Sequence, residues 1–132
     1  MRKQKRLSVA VSAVAFVLLT LSLAHLAHGI AIVTGAPLWE CWALAVGIDM
    51  GFVALELAVI GTTNQTRVKV SQLAWPAIVC TLALSGAMNA FTFAEGAGGG
   101  WRVYPAVGLG LAIPGLVYVL TRIAGTMYLE AR

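Results

Sequence analysis

Charge is what this chain has least of. Only 11% of its 132 residues are Asp, Glu, Lys or Arg, where a soluble domain carries about 25%. Hydrophobic residues make up 60%. So little polar surface excludes a water-soluble globule, and the length leaves no room for a separate soluble domain beside a membrane one. Cysteine is almost missing too. Cys41 and Cys80 lie far apart and form no CxxC pair, which argues against a structural zinc site and a dithiol redox centre. There is no HExxH, no Walker motif, no Ser-His-Asp set and no arginine ladder. An enzyme is therefore not expected, and no cofactor is implied.

What the chain does have is long apolar runs. A helical span needs roughly 20 mostly apolar residues, and four segments qualify: about 8–33, 39–60, 70–94 and 103–124. They are separated by Gly35-Ala36-Pro37, by GTTNQTRVK (61–69) and by EGAGGGWR (95–102). Connections this short make consecutive helices antiparallel neighbours. The fold expected is an all-α membrane protein, a four-transmembrane-helix antiparallel bundle forming one membrane domain over 1–132.

The basic residues orient it. Arg2, Lys3, Lys5 and Arg6 cluster before the first span, and Arg67, Lys69, Arg122 and Arg132 fall at the same side. Only Arg102 falls at the other. Positive residues stay inside, so both termini are expected in the cytoplasm, N-in/C-in. Trp39, Trp42, Trp101 and Tyr104 then form an outer aromatic belt, with Trp75 and Tyr128 near the inner face. The N-terminal basic cluster reads as a topology signal and an anchor for anionic lipid, not as a nucleic-acid patch. MRKQKR followed by SLA (22–24) resembles a secretory leader, but its apolar run exceeds the usual length of such leaders, and an uncleaved span is expected. NQT (64–66) matches a glycosylation acceptor on a loop expected to be inside.

Two acids interrupt the second run. Asp49 falls near its midpoint, and Glu56 follows seven residues later. Seven residues is nearly two helical turns, so both carboxylates share one side, roughly 10 Å apart. That stripe must face protein or water, because hydrocarbon offers a charge no partner. Arg122 on the fourth span lies at the depth of Glu56, which allows an ion pair; the alternative is snorkelling to the inner headgroups. Asp49 has no basic residue at its depth. Its candidate partners are the hydroxyls of Thr20, Ser22, Thr81 and Ser85. Asp49 thus reads either as a proton or cation site or as a side chain that hydrogen-bonds helices together.

In the outer half, His25 and His28 share a face of the first span, and Asn89 lies on the third. A metal held by His25, His28 and Glu40 is one reading; hydrogen bonding near the outer interface is the plainer one. Small residues mark packing faces. Gly47 and Gly51 form a GxxxG pattern around Asp49, and Gly86 with Ser85, and Gly108 with Gly110 and Gly115, offer similar surfaces. Pro114 falls near the middle of the fourth span, where it frees the Gly110 carbonyl and is expected to kink the helix.

The stretches SLAHLAHG (22–29), AVGIDMGFVALELAVI (45–60) and TLALSGAMNA (81–90) resemble a family of uncharacterised actinobacterial membrane proteins that includes plasmid-spread (SpdB-like) proteins. The resemblance implies four membrane helices, an acid in the middle of the second, a bacterial plasma-membrane location and a role linked to mobile elements. Two functions follow as expectations. One is an accessory or assembly protein, working as a homo-oligomer or a subunit of a larger membrane complex, with its polar stripe holding helices in register. The other is an oligomeric proton or cation channel, or a small transporter, using Asp49 and Glu56. The partners expected are the lipid bilayer and membrane proteins, with no nucleic acid.

Overall fold

A computed structural model describes residues 2–62 and 65–130. Asn64 of the NQT motif and Arg132 lie outside the described residues. Four helices make up almost all of the rest: α1 (Arg2–Thr34), α2 (Leu38–Gly61), α3 (Gln65–Gly96) and α4 (Val103–Glu130), with one 3₁₀ turn at Gly100–Arg102. All four are long and apolar enough to cross a membrane.

Three helices outrun their apolar segments. α1 begins at Arg2 rather than near Ser8, α3 at Gln65 rather than Val70, and α4 continues past Ala124 to Glu130. Hydropathy marks only the part of a helix that suits hydrocarbon. Arg, Lys and Gln are good helix formers, so the backbone ladder continues through them into the polar flanks. α4 also continues through Pro114.

The connections stop the helices by local chemistry. After α1, the Gly35 N–H bonds the Ala31 carbonyl at 2.9 Å. The Pro37 carbonyl then accepts from Glu40 and Cys41, at 3.0 and 3.2 Å, and opens α2. Glu40 sits in that first turn, where the positive end of the helix dipole favours an acid. Between α3 and α4, Gly98, Gly99 and Gly100 have φ of 69°, 94° and 68°. Three successive residues in that region need glycine, since any side chain would be strained there.

The buried faces follow a coiled-coil-like repeat. On α2 the buried residues are Cys41, Ala45, Asp49, Phe52, Glu56 and Val59, at steps of four, four, three, four and three. The two acids therefore occupy core positions of that stripe. On α1, Ser8, Ala15, Ser22 and Gly29 recur every seven residues, and all four are buried. This ladder of small residues lets neighbouring helices come close. A side chain at Gly29 would meet Thr92 Oγ1 at 2.9 Å, and one at Gly110 would meet the Ala90 backbone at 2.4 Å. Small residues at crossings are how helices associate where no water drives them together.

Two apolar clusters fill the bundle. One gathers Leu26, Ala27, Ile30, Cys41 and Ala45 near the α1–α2 turn. The other gathers Phe52, Val59, Ala74, Ile78 and Val117 further along. Ser22, Asp49, Ser85 and Asn89 are buried polar residues, and Asp49 falls between the two clusters along α2.

Candidate functional site

The polar layer is built from three helices. α1 supplies Ser22, α2 supplies Asp49, and α3 supplies Ser85 and Asn89. Asn89 is wholly buried. Its Nδ2 donates to Ser22 Oγ at 2.8 Å and to Ser85 Oγ at 3.4 Å, tying α3 to α1. Its Oδ1 has no hydrogen-bond partner among the described residues.

Asp49 is 5% exposed, and its Oδ2 likewise has no partner among the described residues. The hydroxyls expected to serve it mostly serve themselves. Thr20 Oγ1 donates to the Phe16 carbonyl at 2.9 Å, and Thr81 Oγ1 to the Ala77 carbonyl at 2.5 Å. A threonine in a helix can always reach the carbonyl one turn back, and that local bond competes with any longer-range one. Ser22, Thr81 and Ser85 do line the same central cavity as Asp49, together with Leu19, Phe52, Leu82, Pro114 and Val117. The cavity is narrow, with room for about one water molecule.

Below this layer, Glu56 is completely buried and Arg122 approaches it. Arg122 Nε lies 3.6 Å from Glu56 Oε2, an ion-pair contact longer than a hydrogen bond. The Arg122 side chain remains 34% exposed. Its guanidinium carbon stands 5.6 Å from the ring centres of both Trp75 and Tyr118. The Tyr118 ring also meets Phe52 and Trp75, with centroids 6.2 and 6.3 Å apart. Arg122 thus joins α2, α3 and α4 through one carboxylate and two aromatic faces. Spacing alone pointed to the acid, but gave no sign of the aromatic pair.

His25, His28 and Glu40, the residues of the expected metal reading, are not gathered into one group. His25 Nδ1 is 2.8 Å from the Leu21 carbonyl, and the ring stacks on Phe93 at 4.3 Å. His25 and His28 share a groove with Glu95 of α3, whereas Glu40 is exposed on the first turn of α2. Among the described residues, no three or more His, Cys, Asp or Glu side chains form a group able to hold a metal ion. Helical spacing puts the two histidines on one face of α1, while Glu40 belongs to the exposed first turn of α2.

The glycines divide in the same way. Gly86 packs against Leu111, so that an added side chain would meet it at 3.3 Å, but Gly47 and Gly51 have nothing within 4 Å of such a position. Inside the chain, close approach occurs at Gly29 and Gly110, which no GxxxG pattern marks. The seven-residue recurrence of small side chains on α1 was the available signal for Ser8, Ser22 and Gly29. Ser8 Oγ donates to the Ala124 carbonyl of α4 at 3.1 Å, and Thr92 Oγ1 of α3 to the His25 carbonyl of α1 at 3.0 Å. Comparison of the chain with protein-family models, with curated proteins and with solved structures gives no match.

Proposed function

We propose that this chain is an accessory or assembly protein of a bacterial plasma membrane, with antiparallel spans and both termini in the cytoplasm. It works as a homo-oligomer or within a larger membrane complex, and it catalyses no reaction. Its resemblance to plasmid-spread proteins suggests a mobile element as the setting. The carrying observation is that most of its interior polar side chains bridge two helices. Glu56 meets Arg122 across α2 and α4, Asn89 meets Ser22 across α3 and α1, and Ser8 meets α4. Such contacts fix the register of helices that pack without a hydrophobic driving force between them.

A second reading, an oligomeric proton or cation path, draws on one observation: Asp49 Oδ2 is buried in a residue that lines a cavity and has no hydrogen-bond partner among the described residues. Intramembrane acids mark ion pathways often enough to keep this reading in view. The test is proton and monovalent-cation flux in liposomes, with wild type and Asp49→Asn side by side. The assembly reading expects no flux above empty liposomes for either protein and equal stability. Flux in wild type that disappears in a folded Asp49→Asn variant would replace it with the conduction reading.

A further inference from the structure

Asp49 lines two voids, not one. Beside the central cavity lies a groove between α1 and α2 of about 160 Å³, walled by Phe16, Leu19, Thr20, Leu23, Val46 and Met50. Leu19 and Asp49 belong to both, so Asp49 stands where the two voids adjoin. The groove opens on the apolar outer surface of the helices, where Phe16 is 70% and Met50 57% exposed.

From this geometry we propose that the α1–α2 groove binds a lipophilic ammonium compound, a protonated amine with an apolar tail, whose cationic head pairs with Asp49. Three observations carry it. The Asp49 side chain is more than nine-tenths buried, and its Oδ2 has no partner among the described residues. A carboxylate so placed lacks the cation or donor that burial demands, and an ammonium supplies both in a charge-assisted bond. The groove has the mainly apolar lining of small-molecule sites, and of its two polar residues Thr20 already donates to the Phe16 carbonyl, which leaves Asp49 to orient the ligand. A bare metal cation fits less well, because the walls are hydrocarbon and a hard cation needs a cage of oxygens. The ammonium has three donors, and behind Asp49 the residues Ser22 and Ser85 line the central cavity. The inference does not depend on the assembly reading.

The test uses the whole chain in nanodiscs of phosphatidylcholine, a lipid without net charge, and radiolabelled dodecylamine as probe. Dodecanol is the neutral competitor, and empty discs supply the background. Wild type is expected to bind dodecylamine saturably. Asp49→Asn is expected to weaken that binding tenfold or more, since it removes the charge and keeps the shape. Val46→Trp, which fills the groove and leaves the acid in place, is expected to weaken it similarly. The proposal is overturned if wild type shows no saturable binding above empty discs. It is overturned equally if dodecanol competes as well as unlabelled amine, which would make the groove a crevice for any lipid chain. Should Asp49→Asn fail to fold, Val46→Trp and the alcohol competition decide, and unchanged binding by Val46→Trp also overturns the proposal.

Discussion

Glu56 and Arg122 form an unequal pair, and the inequality predicts how each tolerates replacement. Glu56 is wholly buried, whereas Arg122 keeps a third of its side chain exposed. Losing the acid leaves a cation that can turn outward along its long stem. Losing the cation leaves a carboxylate with nowhere to go. Arg122→Leu is therefore expected to cost about 3–5 kcal/mol, and Glu56→Gln only about 1–2 kcal/mol, read from unfolding in mild detergent titrated with a denaturing one. The double variant should recover most of the Arg122→Leu loss; equal costs for the two single variants would show that the pair is not what holds the site. Asn89 makes a different case. Its Nδ2 bonds Ser22, but its Oδ1 is already unpartnered. Asn89→Leu removes a bond and an orphan acceptor together, so the same assay should show a loss under about 1 kcal/mol.

Helix packing makes glycines of similar appearance behave in opposite ways. At Gly110 an added methyl would fall 2.4 Å from the backbone of Ala90, and backbone cannot rotate aside. Gly110→Ala must push α3 and α4 apart, at an expected cost of about 1–3 kcal/mol. At Gly51 nothing lies within 4 Å, so Gly51→Leu should leave the helix content and stability of a single chain unchanged. If chains associate through that face, the same variant should lower the oligomer size in mild detergent. An unchanged size would remove Gly51 from any interface between copies. The glycine pattern read along the sequence offered Gly47 with Gly51, and Gly108 with Gly110 and Gly115, alike as packing surfaces and could not rank them, because a motif records spacing on one helix and not which helix lies opposite.

Across the whole molecule, the basic residues imply a single orientation, and the α3–α4 turn and the end of α4 test it. A membrane-impermeant maleimide applied to intact spheroplasts should label Ala97→Cys and spare Thr126→Cys until the membrane is opened. The reverse pattern would invert the topology. The native thiols should stay silent in both cases. Cys41 is buried and Cys80 sits mid-helix on the apolar surface, where a thiol is not ionised by water and reacts slowly.

Composition and hydropathy were enough to determine that four apolar helices would form, because each apolar run must satisfy its own backbone hydrogen bonds in hydrocarbon. Helical periodicity was enough to place Asp49 and Glu56 on one side of α2 and to bring Arg122 to the depth of Glu56. The helix ends were less legible, since Arg2 to Arg6 and Gln65 to Lys69 continue a ladder that apolarity does not report. Tertiary structure alone decided the rest. It set Arg122 over the Trp75 and Tyr118 rings, gave Ser22 to Asn89 rather than to Asp49, turned His25 onto Phe93, and left Asp49 at the edge of an apolar groove. Those outcomes depend on which faces of different helices meet, and that is settled by the close fit of small residues such as Gly29 and Gly110 against backbones far away in the chain.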